Sequence, residues 1–182
     1  MMDITVHGRG AANCSKKYRK ENTMEIERKY LISRSDIPFD PAQYPCRRIE
    51  QGYLCTSPVV RVRRDNEEYY LTYKSKGFLA REEYNLPLTK EAYAHLKEKA
   101  DGHIITKDRY VIPLKNDLCI ELDFFSGCLS GLILAEVEFP DEDTANAFSP
   151  PDWFGKDVTY SPRYHNSSLS RLNIDRDGSV IK

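Results

Sequence analysis

Long apolar runs are missing from this chain of 182 residues, and its first residues lack the apolar stretch of a secretory signal. Its five cysteines form no C-x-x-C pair, and the four histidines are also isolated, which excludes an ordinary zinc site. The formal net charge is only -1, so no overall field favours nucleic acid or an anionic membrane. We therefore expect a cytoplasmic protein with reduced thiols and with neither a membrane nor a nucleic-acid partner.

The chain does have the composition of a globular protein with many charges. Hydrophobic residues make up 40% and charged residues 30% of a length that suffices for one domain. Residues 1–23 are polar and without periodicity, which predicts a disordered N-terminal extension. The residues that show hydrophobic periodicity predict one domain over 24–173, followed by a short C-terminal tail at 174–182.

Most of this predicted domain alternates as β-strands do, with turn residues between several of the segments. The candidate strands are 24–32, 46–56, 58–65, 67–75, 79–88, 103–114, 117–125 and 131–139. Helices are expected at 89–100, at 141–147 and within 163–173. About eight strands in one small domain predict a mainly β fold of the α+β class, an eight-stranded antiparallel barrel with a few flanking helices.

The most informative pattern is the charged face of the first candidate strand. Glu25, Glu27 and Lys29 fall at every second position, so all three side chains lie on one face of an extended strand. Later strands repeat this arrangement in R-x-R, E-x-D and E-x-E pairs, with apolar residues on the opposite face. On any single strand such a face simply meets water. Like charges side by side repel each other, however, and persist most easily where an ion of opposite charge lies between them.

If these faces point into the barrel, its interior combines carboxylates with cations. The carboxylates are Glu25, Glu27, Glu83, Glu121, Asp123, Glu136 and Glu138. The cations are Lys29, Arg61, Arg63, Lys74, Arg81, Lys107 and Arg109. Carboxylates bind hard divalent ions such as Mg²⁺ or Mn²⁺, and guanidinium groups bind phosphate oxygens bidentately. A metal–polyphosphate complex would satisfy both sets, and mutual salt bridges are the alternative.

These motifs resemble those of the CYTH, or triphosphate tunnel metalloenzyme, superfamily. Its E-x-E-x-K signature corresponds to residues 25–29, and its later strands resemble RVR, TYKSKG, AREEY, KDRY, ELDFF and AEVEF of this chain. The segments QGYL (51–54), PPDWFGKDVT (150–159) and RYHN (163–166) resemble the small bacterial, tripolyphosphatase-like branch. The similarity covers about residues 24–172.

The resemblance implies an eight-stranded tunnel open at both ends, which cleaves a small polyanionic substrate with Mg²⁺ or Mn²⁺. For the small bacterial branch the expected reaction is hydrolysis of inorganic tripolyphosphate to pyrophosphate and phosphate. Alternatives within the fold are a nucleoside- or thiamine-triphosphatase and a class IV-type adenylate cyclase. A non-catalytic protein that binds polyphosphate or nucleotides is the alternative from another class. Either a monomer or a homodimer is compatible with the sequence.

The resemblance also assigns roles to the charged residues. The metal ligands would be Glu25, Glu27, Glu83, Glu121, Asp123, Glu136 and Glu138. The phosphate-binding residues would be Lys29, Arg61, Arg63, Lys74, Arg81, Lys107, Arg109 and Arg163. The catalytic residues would be Tyr53, Lys29 and Lys107.

At three positions, Tyr53, Arg163 and Asn85, the sequence leaves alternatives open. Tyr53 is expected to accept a proton or to orient a group. A phenol with a pKa near 10 can accept a proton at neutral pH only if adjacent cations lower that pKa. The alternative is that Tyr53 is a hydrogen-bonded aromatic residue of the barrel. Arg163 either reaches the tunnel from the C-terminal helix or is a surface charge. Asn85 stands where the family often has a further glutamate, which leaves the number of bound metal ions open.

Overall fold

The computed structural model describes residues 23–76 and 79–172, and within them eight antiparallel strands close into a barrel in the order β1-β5-β4-β3-β2-β6-β7-β8. The strands are β1 (Thr23–Leu31), β2 (Cys46–Thr56), β3 (Val59–Asp65), β4 (Glu68–Lys74), β5 (Ala80–Pro87), β6 (Asp101–Pro113), β7 (Cys119–Phe125) and β8 (Ile133–Glu138). The predicted fold class is confirmed. The predicted N-terminal extension, except Thr23 at the start of β1, and the predicted C-terminal tail lie outside the described residues.

The helices of the described residues are α1 (Lys90–Lys97), α2 (Glu142–Ala147) and α3 (Asn166–Leu169), with short 3₁₀ turns elsewhere. The side chains of Thr89 and Asp141 accept hydrogen bonds from backbone N–H groups and so cap the first turns of α1 and α2. Helix α1 ends at Lys97, earlier than expected, and β6 begins at Asp101, also earlier than expected. No helix in 23–76 or 79–172 is long and apolar enough to cross a membrane.

The larger apolar core lies outside the barrel, against the walls of β1, β7 and β8. Along β7, Ile120 and Leu122 alternate with Glu121 and Asp123, and all four are buried, so this wall is covered on both faces. The covering layer contains Ala145 of α2 and aromatic residues of the segment that follows, among them Phe148, Trp153 and Phe154. The apolar faces therefore leave the charged faces to point into the barrel.

Arg28, on the outward face of β1, ties this covering layer to the barrel. Its Nη1 donates to the backbone oxygens of Ala145 at 3.2 Å and Phe148 at 3.0 Å, and its Nη2 donates to Asp157 at 2.6 Å. The backbone N–H of Val158 donates to the oxygen of Lys29 at 2.8 Å. The segment after α2 is thus bound along the strand that carries the E-x-E-x-K motif.

A second apolar cluster packs one end of the barrel around Tyr53, Ile105, Phe125, Leu134 and Leu169 of α3. Where a helix was expected within 163–173, the structure has a 3₁₀ turn at Pro162–Tyr164 and the single turn of α3. The backbone oxygen of Ser170 accepts a hydrogen bond from His103 at 2.7 Å, and a Cβ on Gly102 would lie 2.2 Å from that oxygen. Gly102 has φ +71°, so both the turn and the close approach require glycine.

Three of the described cysteines, Cys46, Cys55 and Cys128, are free thiols. Cys119 is disulfide-bonded, so the expectation of reduced thiols is wrong at this position. The spacing of cysteines along a chain does not reveal which of them meet in space.

Candidate active site

The barrel interior encloses a cavity of about 1220 Å³. Most of the residues predicted for the site line it. They are Glu25, Glu27, Lys29, Tyr53, Arg61, Arg63, Lys74, Glu83, Arg109, Glu121, Glu136 and Glu138. The β-strand alternation therefore brings these side chains together from all eight strands of the barrel.

Four predicted residues are placed differently. Lys107 and Asp123 have fully buried side chains and are not among the lining residues. Arg163 is exposed on its 3₁₀ turn and is not among the lining residues either. Arg81 lies in β5 with its backbone opposite Glu25, and its side chain is outside the described part of the structure.

A buried ion-pair network occupies one wall of the cavity, centred on Arg109. Its Nε donates to Asp123 at 2.6 Å, and its Nη2 donates to Glu136 at 2.6 Å. Lys29 Nζ lies 2.8 Å from the other oxygen of Glu136, and Lys107 donates to Asp123. Although burial alone would raise the pKa of Glu136, these three cations hold it well below its ordinary value. Burial, helped by the charge of Arg109, lowers the pKa of Lys107 to about 7.

The facing wall carries more negative than positive charge. Lys74 Nζ donates to Glu25 at 2.6 Å and lies 2.7 Å from Glu83. Glu27 and Glu138 line the same region, on paired positions of β1 and β8. Burial inside the barrel, together with repulsion from these other glutamates, raises the pKa of Glu138 to about 6, against the opposing charge of Lys74. Water still reaches Glu138 through the open cavity.

Arg61 and Arg63 of β3 are the buried cations with the weakest pairing to carboxylates in the site. Nε of Arg61 has no hydrogen-bond partner in the described part of the chain, and Nη2 lies 4.0 Å from Glu83. Arg63 donates from Nε at 2.9 Å and from Nη2 at 2.7 Å to the neutral side chain of Gln51. Burying a guanidinium group without a hydrogen-bonded anion is costly, so the pair is suited to an anionic ligand.

Gln51 connects Arg63 to the predicted catalytic tyrosine. Its Nε2 donates to the hydroxyl of Tyr53 at 3.2 Å, and both side chains are buried. The strand pairing is irregular between residues 51 and 55, and Tyr53 lines the cavity within this stretch. The sequence placed Gln51 on the same face as Tyr53, but nothing in the pattern indicated that its amide would bridge the two groups.

Asn85, at the position where the family often has a further glutamate, hydrogen-bonds to the carboxylate of Glu83. It accepts a hydrogen bond from Thr72 Oγ1 at 2.6 Å and donates to Glu83 Oε1 at 2.8 Å. Its amide is therefore oriented on both sides, and it restrains the carboxylate of Glu83 without adding to the negative charge.

Two further side chains, Arg47 and Asp65, form part of the lining, and sequence reasoning missed both. Arg47 lies opposite Arg109 on the paired strands β2 and β6, and its Nε donates to Asp65 at 3.0 Å. An alternation that starts at the QGYL motif and counts backward places residue 47 on the inner face, which is the signal that could have found Arg47.

The carboxylates offer suitable donor atoms for Mg²⁺ or Mn²⁺, which prefer oxygen ligands. In the described ranges, however, no three Asp, Glu, His or Cys side chains are arranged as a ready metal site. The reason is visible in the contacts, because carboxylates such as Glu25 and Glu136 are held by lysine or arginine. The residues fit the ion chemically, and a cation near Glu138 would relieve the repulsion among the glutamates there.

Comparisons with known proteins agree with this geometry. The model of the CYTH domain matches residues 23–147. The inorganic triphosphatase of Nitrosomonas europaea is 40% identical over 149 residues, which are 80% of this chain and 96% of that protein. The inorganic triphosphatase of Acetivibrio thermocellus is 39% identical over 150 residues, 80% of this chain and 92% of that protein.

A solved structure of an inorganic triphosphatase superposes with a TM-score of 0.61 at 36% identity, covering 83% of this chain and 97% of that one. The matching region includes the motif strand β1, the barrel and helix α2. The chain belongs to the CYTH domain family.

Proposed function

We propose that this chain is a divalent-metal-dependent triphosphatase that hydrolyses inorganic tripolyphosphate to pyrophosphate and phosphate. The observation that carries the proposal is the pair Arg61 and Arg63, two buried guanidinium groups that no carboxylate of residues 23–76 or 79–172 contacts within hydrogen-bond distance. A phosphate chain supplies the oxygens that such groups bind. Two relatives at about 40% identity, both named inorganic triphosphatases, support the same substrate.

In this proposal the phosphates lie between the cationic and the acidic walls. Arg61, Arg63 and Arg109 bind phosphate oxygens and neutralise charge that develops as the bond to the leaving group breaks. Lys29, which reaches the cavity beside Glu136, adds a further positive charge. Lys107 lies behind the lining and acts through Asp123 by holding the guanidinium group of Arg109 in position.

The metal ion is assigned to the acidic wall formed by Glu25, Glu27, Glu83 and Glu138. A bound Mg²⁺ or Mn²⁺ neutralises phosphate oxygens and lowers the pKa of a coordinated water. The remaining predicted ligands, Glu121, Asp123 and Glu136, instead contact Arg109, and in this proposal they orient it.

Tyr53 is assigned an orienting role through its hydroxyl, which accepts from Gln51 and lies in the cavity wall. We predict that Tyr53→Phe lowers kcat by about tenfold with little change in KM, because it removes a hydroxyl that acts in the reacting complex. Thermal unfolding is the control. A lower Tm with an unchanged kcat would indicate that Tyr53 is only a hydrogen-bonded barrel aromatic.

The test of the function is phosphate release from tripolyphosphate, ATP and thiamine triphosphate, with Mg²⁺, with Mn²⁺ and with EDTA. We expect tripolyphosphate to be the best substrate and EDTA to abolish the reaction. Glu83→Gln should reduce the activity by at least about tenfold. Glu82→Gln is the matched control, because the neighbouring Glu82 points outward and is exposed. Metal-independent or absent release from every substrate would refute the enzyme assignment.

One observation favours a nucleoside triphosphate as the second candidate. The cavity lining includes Tyr69, Tyr70 and Pro87, whose rings could pack against a base. Equal kcat/KM values for ATP and tripolyphosphate would favour this candidate over the inorganic substrate.

A further inference from the structure

We propose that Arg47 is the outermost phosphate-binding side chain of the barrel, and that it favours a free terminal phosphate over an esterified one. The inference rests on the proposed function, since it requires a phosphate chain to lie along the cavity. It concerns a residue outside the charged strand motifs, and it addresses how the site distinguishes tripolyphosphate from nucleoside triphosphates.

The register of the strands places Arg47 at the open side of the cationic wall. Arg47 of β2 is paired with Arg109 of β6, so both side chains lie on the inner face. The exposed fraction of the side chain rises from 0% at Lys107 to 6% at Arg109 and 22% at Arg47. Of these three neighbouring cations, Arg47 is therefore the most accessible to water.

Asp65 holds the guanidinium group of Arg47 in position. Arg47 donates to one oxygen of Asp65 from Nε at 3.0 Å and to the other from Nη2. Asp65 is 4% exposed, and its second oxygen also accepts from the hydroxyl of Tyr70 at 3.3 Å. A second carboxylate, that of Glu121, has its Oε1 4.0 Å from Nη1 of Arg47.

The neighbouring Arg48 lies on the opposite, outer face of β2 and has different surroundings. Arg48 extends into water with 80% of its side chain exposed and pairs loosely with Asp108 at 3.4 Å. Arg47 is instead kept directly across from Arg109, although like charges at paired positions repel each other. Because Asp65 already fixes the guanidinium group of Arg47, binding a phosphate costs it little further conformational entropy. Preorganisation of this kind increases affinity.

The two ends of the barrel differ in the room they offer to a substituent. The end near Tyr53 is packed by the second apolar cluster and by α3. Around Arg47 the lining is formed by turn and strand-end residues such as Asn66 and Pro87. In this proposal an organic group on the last phosphate leaves the cavity past Arg47. Such an ester has one oxygen fewer to accept hydrogen bonds and a smaller charge than a free terminal phosphate, so Arg47 gains less from it.

The experiment is isothermal titration calorimetry of tripolyphosphate and of ATP in EDTA, with the full chain and with Arg47→Gln, Arg47→Lys and Arg48→Gln. We expect Arg47→Gln to weaken tripolyphosphate binding by about tenfold and ATP binding by less than about threefold. Arg47→Lys should lie in between, because lysine keeps the charge but not the planar fork. Arg48→Gln should match the wild type, and circular dichroism should show that all variants are folded.

Equal losses for the two ligands, or no loss in Arg47→Gln, would overturn the role of Arg47. A loss of the same size in Arg48→Gln would overturn it as well, because the effect would then be one of general charge. These results leave the proposed function intact if the wild type binds and hydrolyses tripolyphosphate. A wild-type protein that neither binds nor hydrolyses tripolyphosphate would overturn both proposals.

Discussion

Replacing Arg61 by methionine is expected to stabilise the ligand-free protein while removing its affinity for triphosphate. The side chain of Arg61 is only 5% exposed, and its Nη2 lies 4.0 Å from Glu83. At an effective dielectric near 20, one such pair contributes about 4 kcal/mol of attraction, and removing each ion from water costs several kcal/mol. Neighbouring positive charges on Arg63 and Lys74 reduce the net attraction further.

The magnitude follows from how buried charges compare with apolar residues of similar volume. Substituting apolar side chains for buried ionic groups commonly raises the free energy of unfolding by about 1–4 kcal/mol. We expect Arg61→Met to fall in this range, because Glu83 keeps Lys74 as a partner at 2.7 Å. For a chain of this size each kcal/mol corresponds to a Tm increase of about 2–4 °C.

The assay is urea and thermal unfolding in EDTA, with and without tripolyphosphate. In the wild type, ligand at 100 times its Kd should add about 2.7 kcal/mol to the free energy of unfolding, and in Arg61→Met it should add almost nothing. Arg64→Met is the matched control on the outer face of the same strand, where Arg64 is 42% exposed. It should change stability by no more than about 0.5 kcal/mol. If Arg61→Met instead lowers the free energy of unfolding by more than about 1 kcal/mol, Arg61 is a structural ion-pair residue and the reasoning fails.

Two further predictions concern segments that pack against the barrel. Gly102→Ala should lower the free energy of unfolding by about 1–3 kcal/mol, because the new Cβ would meet the backbone oxygen of Ser170. Gly131→Ala is the control: among the described residues no atom beyond its chain neighbours lies within 4 Å of its Cβ position, so the same denaturant titration should show a smaller decrease. Burial acts to raise the pKa of Asp157, but the hydrogen bonds from Arg28 and from residue 159 prevail and lower it. This stabilisation is present above the unfolded-state pKa of about 3.9 and is lost as the pH falls through the lower folded-state pKa. Asp157→Asn should therefore lower the Tm at neutral pH and lose less Tm than the wild type on acidification. A Tm difference between the two proteins that does not change with pH would contradict this.

The sequence was most informative where strands alternate strictly. In β7, Glu121 and Asp123 were assigned to the interior and Leu122 to the opposite face, as the structure has them. A closed antiparallel barrel makes this inference reliable, because each strand has one face inside and one outside. The same logic identified most of the lining residues before any contact was known.

The sequence was least informative where position depends on contacts between distant segments. Arg47 and Arg48 are adjacent and chemically identical, and only the pairing of β2 with β6 and the carboxylate of Asp65 distinguish their roles. Lys107 and Asp123 were correctly assigned to the inner face, yet they bond to each other behind the lining. Alternation identifies the face of a strand, but the depth of a side chain follows from its partners.

The contacts inside the barrel also suggest how a polyanion enters a site that already contains its own anions. Around Arg109 the carboxylates of Asp123 and Glu136 satisfy the cations, so a phosphate there must displace them, and each displaced carboxylate needs another cation nearby. At Arg61 and Arg63 no such exchange is required, because among the described residues neither guanidinium group is hydrogen-bonded to a carboxylate. We infer that the R-x-R pair binds phosphate first, and that occupation of the Arg109 wall depends on cations that neutralise the released carboxylates. This dependence gives a physical reason for a site that combines so many acidic residues with a polyanionic substrate.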